Sequence, residues 1–183
     1  MSDTVVRWRP GARWSRRAVP AGLWSWLMRT GSLTARLEKA CAGRFRVRVL
    51  SQGWQRPRLD EWRALDGRAG ERALVREVHL LCDGRPWVYA RTVIPARSLR
   101  GAQRRLACLG ERPLGAYLFA QPGLWRGPVE LACIRRGSAL YRAALAGSRA
   151  RPPAIWGRRS VFRLSGRPLL VAEVFLPGLP DAG

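Results

Sequence analysis

Two segments of the chain share one pattern and limit what it can fold into. Residues 84–95, GRPWVYARTVIP, and residues 166–177, GRPLLVAEVFLP, both run from Gly-Arg-Pro to a proline over the same length. Each apolar stretch follows a turn signal, Asp-Gly or Ser-Gly. This pattern predicts the second strand of a β-hairpin. Repeat architectures need at least three units, so two copies exclude a solenoid.

The rest of the chain predicts further strands and several short helices. Strands are indicated at residues 44–49, 74–82, 87–94 and 129–134, with a second hairpin at 161–176. Helices or helical turns are indicated at residues 22–29, 32–43, 59–65, 98–109, 114–119 and 138–146. Most of residues 51–72 reads as loop. Tight hairpins with helical patches favour the α+β class, with an antiparallel β-sheet and helices packed over one face.

Length and composition indicate one domain. With 183 residues, 47% of them hydrophobic and 9 of them Trp, the chain can bury a sizeable core. We expect residues 1–20 to form a flexible basic arm and residues 21–183 a single domain, which we expect to be monomeric.

No apolar run approaches the 18 residues of a membrane helix, and the N-terminus lacks an apolar signal core. These features predict a cytoplasmic protein without stable membrane insertion.

The chain is strongly basic. Its formal net charge is +22, from 34 basic and 12 acidic residues, and Lys39 is the single lysine. Such a balance favours an anionic partner, which can be a nucleic acid, a membrane surface or a small acid. The alternative is a generally basic surface, because the arginines are spread along the chain without a block of five. The sequence has no RNA-binding signature that would favour nucleic acid.

The cysteines and the single histidine do not form a recognisable metal site. No two of Cys41, Cys82, Cys108 and Cys133 are spaced as a CxxC pair, which excludes the usual structural zinc sites. Without a secretory segment they read as reduced thiols of a cytosolic core. His79 is either a catalytic base or a structural residue, and a lone histidine on a strand is more often structural.

Two arginines of the first hairpin are candidates for binding an anion. With a two-residue loop at Asp83-Gly84, Arg76 lies directly opposite Arg91, and a four-residue loop keeps both on one face. Like charges across a strand pair destabilise a sheet, whereas an anion between them would stabilise it. The alternative is that this face is exposed to solvent, since Glu77 and His79 make the opposite face mixed as well.

Glu173 is a second candidate because it is the sole carboxylate between residues 131 and 180 and lies in an apolar run. It occupies the position in residues 166–177 that Arg91 occupies in residues 84–95. An ionised side chain buried in a strand is costly unless it is paired or hydrogen-bonded. Glu173 could therefore hold a substrate hydroxyl, move a proton, or form a structural ion pair with an arginine such as Arg158.

Three segments together resemble the chorismate pyruvate-lyase (chorismate lyase) family. They are LVREVHLLCDGRPWVYARTVIP, LGERPLGAYLF and WGRRSVFRLSGRPLLVAEVFLPGLP, with weaker support from SLTARLE near the N-terminus. The resemblance implies conversion of chorismate to 4-hydroxybenzoate and pyruvate, the first step towards the ubiquinone ring, without a metal or cofactor. It also implies an antiparallel sheet with helices over one face, and flaps that enclose the ligand.

The resemblance assigns roles to individual positions. It implies that Arg76 grips the ring carboxylate, that Leu114 contacts the ring, and that Glu173 meets the ring hydroxyl. Arg91 matches a family arginine near the site, and we expect it to steady the enolpyruvyl carboxylate as a catalytic group beside Glu173. Leu33 stands where the family often has methionine. The segment between Ile134 and Trp156 is longer than in the shortest family members.

Two other functions compete with this one. A small-molecule sensing domain of the same fold, as in some bacterial transcription regulators, normally follows a helix-turn-helix segment. Only about 20 residues precede the first predicted helix here, too few for such a segment. An arginine-rich nucleic-acid-binding protein would show binding that depends steeply on salt. Consumption of chorismate separates the lyase from both alternatives.

Overall fold

The computed structural model describes residues 4–67 and 70–181, and within them the chain folds around one eight-stranded antiparallel sheet. The strands are β1 Arg9–Pro10, β2 Phe45–Gln55, β3 Ala73–Cys82, β4 Arg85–Pro95, β5 Trp125–Arg126, β6 Glu130–Arg135, β7 Ala154–Leu164 and β8 Arg167–Phe175. Their order is β1-β6-β7-β8-β4-β3-β2, and β5 pairs with β7. The predicted α+β class with an antiparallel sheet is confirmed.

Five short α-helices accompany the sheet. They are α1 Ala21–Met28, α2 Leu33–Ala40, α3 Leu59–Ala64, α4 Leu114–Phe119 and α5 Ala139–Ala144. The predicted cap of α2 is present, since Ser32 Oγ accepts a hydrogen bond from the Ala35 amide at 3.3 Å. Two predictions differ in detail. The helix expected at 98–109 is a 3-10 helix at Gly101–Cys108, and β2 extends into the predicted loop as far as Gln55.

Both predicted hairpins are present and use the same turn. Asp83 and Gly84 have φ of 47° and 75°, and Ser165 and Gly166 have φ of 50° and 75°. Positive φ at both central residues defines the type I′ turn, whose twist matches that of the flanking strands. The two turn pairs therefore fix where each hairpin reverses.

The first hairpin contains an irregularity that the second lacks. Leu81 pairs with Pro86 but Leu80 pairs with Val88, so Trp87 is an extra residue in β4. A bulge of this kind shifts every later residue of the strand to the opposite face. In the second hairpin the register of β7 and β8 runs without a break from the turn to Phe175.

The sheet has an apolar layer on each face. On the first, here called the cavity face, α1, α2 and α4 pack against alternate residues of β3, β4, β7 and β8, including Val78, Val88 and Val171. On the second face, α3 and α5 pack against the intervening residues of the same strands, such as Val93 and Val174. Both faces are thus covered, the cavity face by the two eight-residue helices and α4.

The N-terminal segment is part of the domain in the residues that the structure describes. The Thr4 amide donates to the Gly137 carbonyl at 3.2 Å, and β1 pairs with β6. Val19 is buried in the core beneath α1. These contacts join parts of residues 4–20, predicted to belong to a flexible arm, to the rest of the domain.

The expectation of four reduced cysteines is also corrected. Cys41, at the C-terminal end of α2, forms a disulfide with Cys82 at the end of β3, whereas Cys108 and Cys133 are free. Cysteines 41 residues apart in sequence come together because α2 lies against the strands of the cavity face.

None of the helices in the described ranges is long and apolar enough to cross a bilayer.

Candidate active site

Three of the four predicted site residues meet in one cavity between the sheet and two helices. Arg76 from β3, Glu173 from β8 and Leu114 from α4 all line it. The remaining wall is mostly apolar, with two threonines: Leu33, Thr34, Val47, Val78, Leu80, Ala90, Thr92, Pro113, Gly115, Leu118, Phe119, Phe162 and Val171. A largely apolar cavity with a few convergent polar groups is typical of small-molecule sites.

Arg76 is a buried arginine whose guanidinium is only partly hydrogen-bonded within the described residues. It is 3% exposed, and its Nη2 donates to the carbonyls of Gly110 and Arg112 at 2.8 and 3.2 Å. Its Nε is buried and has no hydrogen-bond partner within the described residues. Burial lowers the pKa of this guanidinium. The two carbonyls fix its orientation and leave a donor for a bound anion, which an arginine can grip through two parallel hydrogen bonds.

The opposite wall of the cavity is formed by α2 and α4. Leu33 and Thr34 open α2, and Leu114 and Gly115 open α4, so the first turns of both helices face the ligand space. The helices approach closely at Gly115, where an added Cβ would lie 3.0 Å from Thr34 Oγ1. These helices would have to move for a ligand to enter, since the cavity volume is about 40 Å³.

Glu173 lines the cavity and also forms the ion pair with Arg158 that the sequence analysis named as one alternative. Its Oε2 accepts a hydrogen bond from Arg158 Nε at 2.6 Å. Arg158 is 1% exposed, and its Nη1 donates to carbonyls at the C-terminal end of α1, among them Trp26 at 3.0 Å and Arg29 at 2.8 Å. Arg158 therefore joins the carboxylate to the helix layer and fixes its position in the cavity.

Arg91 lies outside this cavity, and the predicted pairing of Arg76 with Arg91 is wrong. The bulge at Trp87 shifts the register, so Arg76 lies opposite Thr92 and Arg91 lies opposite Glu77. Arg91 consequently points to the second face. Thr92 faces the cavity at the position that Arg91 would occupy in a hairpin without the bulge.

On the second face Arg91 is held by two carboxylates. Its Nε and Nη2 donate to the two oxygens of Glu61 at 2.6 and 3.1 Å, and its Nη1 donates to Glu77 Oε1 at 2.7 Å. Glu77 also accepts hydrogen bonds from Tyr89 at 2.5 Å and from Ser51 at 2.9 Å. We call Ser51, Glu61, Glu77, Tyr89 and Arg91 the second-face network.

Contacts within this network shift the pKa values of Glu77, Arg91 and Tyr89, so that the glutamate and the arginine stay charged and the tyrosine stays neutral. Burial alone would raise the pKa of Glu77, but hydrogen bonds from Tyr89, Ser51 and Arg91 outweigh it and lower the pKa. Burial would lower the pKa of Arg91, but the two glutamates raise it. Burial and the Glu77 carboxylate both raise the pKa of Tyr89. The network is thus a set of satisfied ion pairs.

A larger cavity, about 270 Å³, adjoins this network. It is lined by Arg91 and Arg159, and both are already paired: Arg159 contacts Asp60 at 2.9 Å and Glu130 at 2.7 Å. His79 also lies on the second face, 3% exposed, with Nδ1 3.2 Å from Arg48 Nη2. The buried, unpartnered Nε of Arg76, rather than volume, therefore makes the cavity at Arg76 the candidate site.

The extra segment after Ile134 covers the second face and adds nothing to the cavity at Arg76. It contains α5, whose Leu140 and Ala144 are buried against Tyr89 and Val174 of the sheet.

The sequence analysis did not predict Thr34 and Thr92 as residues that line the cavity at Arg76. Thr92 could have been found only with knowledge of the bulge, because the regular hairpin register assigns it to the other face.

A profile of the family described as "Chorismate lyase" matches residues 5–181. The chain belongs to the chorismate lyase family. The "Probable chorismate pyruvate-lyase" of Azoarcus sp. (strain BH72) is 52% identical and covers 94% of this chain and 92% of its own length. That of Methylococcus capsulatus is 50% identical, covering 85% and 94%.

Two solved structures of domains from bacterial proteins have a similar fold. The ligand-binding domain of a GntR-family transcriptional regulator from Bordetella bronchiseptica superposes with a TM-score of 0.53 at 19% identity, covering 77% of this chain and 88% of that one. The effector domain of PhnF from Mycobacterium smegmatis gives 0.53 at 18% identity, covering 80% and 89%. At this identity the likeness concerns the fold alone.

Proposed function

We propose that this chorismate lyase family member is a chorismate pyruvate-lyase, which converts chorismate to 4-hydroxybenzoate and pyruvate. The observation that carries the proposal is the convergence of Arg76, Leu114 and Glu173 in one apolar cavity, with a buried, unpartnered donor on Arg76. Family membership and the names of relatives about half identical to this chain support it. The product would enter ubiquinone synthesis, in the cytoplasm.

The reaction removes the enolpyruvyl ether at ring carbon 3 and the hydrogen at ring carbon 4. The carbon–oxygen bond breaks and its electron pair leaves with the enolpyruvyl oxygen, while loss of the hydrogen makes the ring aromatic. The enolate released takes up a proton at its methylene carbon and becomes pyruvate. Aromatisation drives this step, so the protein acts mainly by holding a reactive pose and excluding water.

Each polar group of the cavity has a role in that pose. Arg76 would bind the ring carboxylate through Nε, the donor that is left free when Nη2 contacts the Gly110 and Arg112 carbonyls. Glu173, on β8 two strands away, would contact the ring hydroxyl at the para position. Two strand spacings amount to about 10 Å, so the ring would lie between the two side chains once α2 and α4 have moved apart. Leu114 and Leu33 would close over the ring and keep water out.

Glu173 either positions the hydroxyl or also helps to move a proton. If it carries the proton, Glu173→Gln should lower kcat by about 100-fold or more, the usual contribution of a positioned acid or base, while 4-hydroxybenzoate still binds. Near-normal kcat would leave Glu173 with positioning alone. Steady-state kinetics and calorimetric titration of product on the same preparation separate the two roles.

The direct test is an assay of purified protein with chorismate in EDTA, following pyruvate and 4-hydroxybenzoate together. We expect both products in equal amounts. Tight binding of 4-hydroxybenzoate without turnover would instead favour an aromatic-acid sensing domain, the kind of role that the GntR-family fold relatives suggest. Absence of both turnover and binding would refute the proposed function.

A further inference from the structure

Chorismate carries two carboxylates, and Arg76 accounts for only one of them. The enolpyruvyl ether is attached to the ring carbon next to the one that bears the hydroxyl. If Glu173 contacts the hydroxyl, the second carboxylate lies near the Glu173 side of the cavity, away from Arg76. This inference rests on the proposed function, and it requires a second cationic donor on that side.

One row of paired residues on the cavity face leads from Arg76 to the far side. Arg76 lies opposite Thr92, Thr92 opposite Val171, and Val171 opposite Ser160. Three strand spacings separate the ends of this row by about 14 Å. Ser160 Oγ accepts a hydrogen bond from Arg126 Nε at 3.2 Å. Arg126 therefore stands at the end of the row opposite Arg76.

The surroundings of Arg126 leave part of its guanidinium unused. The group lies over the ring of Phe162, 5.3 Å from its centroid, and Phe162 lines the cavity. Nη1 is buried, and among residues 4–67 and 70–181 nothing accepts a hydrogen bond from it. A buried donor without a partner is costly, and an anion at this side of the cavity would remove the cost. Pairing of β5 with β7 fixes the backbone at Arg126 opposite Phe162.

Electrostatics at this side also favour an anion. Burial and then the charge of Arg158 lower the pKa of Arg126, and Glu173 opposes the shift. Arg36 on α2 responds likewise to burial and to Arg158. The charges of Arg126, Arg36 and Arg158 thus outnumber the Glu173 carboxylate with which they interact, and this excess positive charge favours a second anionic group.

Two of these three arginines already have structural partners. Arg158 pairs with Glu173 and with α1 carbonyls, as described above. Arg36 stacks on the Trp26 ring, 4.4 Å from its centroid, and donates to the Ser25 carbonyl at 3.3 Å. Within the described ranges, Arg126 is the member of this group that keeps a buried nitrogen without a partner.

We propose that Arg126 binds the carboxylate of the enolpyruvyl group, and so enables the site to distinguish chorismate from its aromatic product. Arg126 takes the role that the sequence suggested for Arg91. It exchanges no proton in the reaction. Its hydrogen bonds hold the enolpyruvyl group while the carbon–oxygen bond breaks, and they stabilise the negative charge that develops on the departing enolate.

The test compares the effect of Arg126→Gln on substrate with its effect on product. 4-Hydroxybenzoate lacks the second carboxylate, so its affinity, measured by calorimetry, should be unchanged. The kcat/KM for chorismate should fall about 10- to 100-fold, the value of one hydrogen bond to a charged group. Arg126→Lys, which keeps the charge but not the planar fork, should restore part of the loss.

Arg163→Gln is the matched control, because Arg163 lies half-exposed over Trp125 on the same pair of strands. It should leave both measurements unchanged. An active wild type with Arg126→Gln also fully active would overturn the assignment of Arg126 and leave the lyase standing. Equal losses for substrate and product would show a structural role for Arg126, and an inactive wild type would overturn the proposed function as well.

Discussion

The two faces of the sheet use buried arginine in opposite ways. On the second face, Arg91 donates to both oxygens of Glu61 and to Glu77, and its hydrogen-bonding capacity is largely occupied. On the cavity face, Arg76 is equally buried, yet it contacts only backbone carbonyls and keeps Nε without a partner in the described residues. The state of pairing, rather than burial or charge, distinguishes an arginine that stabilises the fold from one that can bind substrate.

Loss of Arg91 should have the largest effect on stability. Arg91→Met leaves Glu61 and Glu77 buried without their cation, and breaking a buried pair costs about 3–5 kcal/mol. Urea denaturation should show this loss in the free energy of unfolding, with Arg163→Met as a half-exposed control. A variant as stable as wild type would contradict a structural role for the second-face network.

Loss of Arg76 should affect ligand binding more than stability. Arg76→Met should weaken 4-hydroxybenzoate binding about 10- to 100-fold, because one charge-assisted contact is lost. It should lower the free energy of unfolding by less than Arg91→Met does, since hydrogen bonds to the Gly110 and Arg112 carbonyls are lost but no carboxylate loses its cation. Arg76→Lys should also bind less well, because one ammonium group cannot reproduce the separate Nη2 contacts to the backbone carbonyls and the free Nε donor of the planar guanidinium. Titration of product, with exposed Arg46→Met as control, checks both variants.

Acidification should act on the second face through Glu77. Its pKa is lowered in the folded protein, so its stabilising contribution is present above the pKa of the unfolded chain and is lost as pH falls through the lower, folded value. Glu77→Gln should therefore flatten the decline of unfolding free energy below about pH 4.5, the ordinary value for this group. Glu38→Gln, on the exposed side of α2, should leave the decline unchanged.

The smallest effect is expected at Leu33. Leu33→Met replaces one apolar wall residue by another of similar volume, a change that usually costs less than about 1.5 kcal/mol. Turnover should therefore fall less than about tenfold. Loss of activity as large as that of Arg76→Met would mean that α2 contacts the ligand more specifically than an apolar wall does.

The sequence predicted the hairpins because their turns are determined locally. Asp-Gly and Ser-Gly place two residues with positive φ side by side, and the alternating strands follow from that reversal. Glu173 and Arg76 were predicted as site residues through resemblance to a family, and they do line one cavity. The pairing of Glu173 with Arg158 had been named as one alternative, and it is present.

The position of Arg91 could not be predicted, and the two similar segments show why. Arg91 and Glu173 hold the same place in sequence, but β4 contains the bulge at Trp87 and β8 has none. A single extra residue reverses the facing of everything after it, so Arg91 and Glu173 lie on opposite faces. Trp87 and Val88 both pack into the layer under α1 and α2, a tertiary contact that periodicity does not reveal.

A crystal structure of the protein with 4-hydroxybenzoate tests the central claim most directly. We predict that the ligand carboxylate accepts a hydrogen bond from Arg76 Nε and that its hydroxyl contacts Glu173, with the second-face network undisturbed. A ligand bound beside Arg91, with its ion pairs to Glu61 and Glu77 broken, would contradict the account.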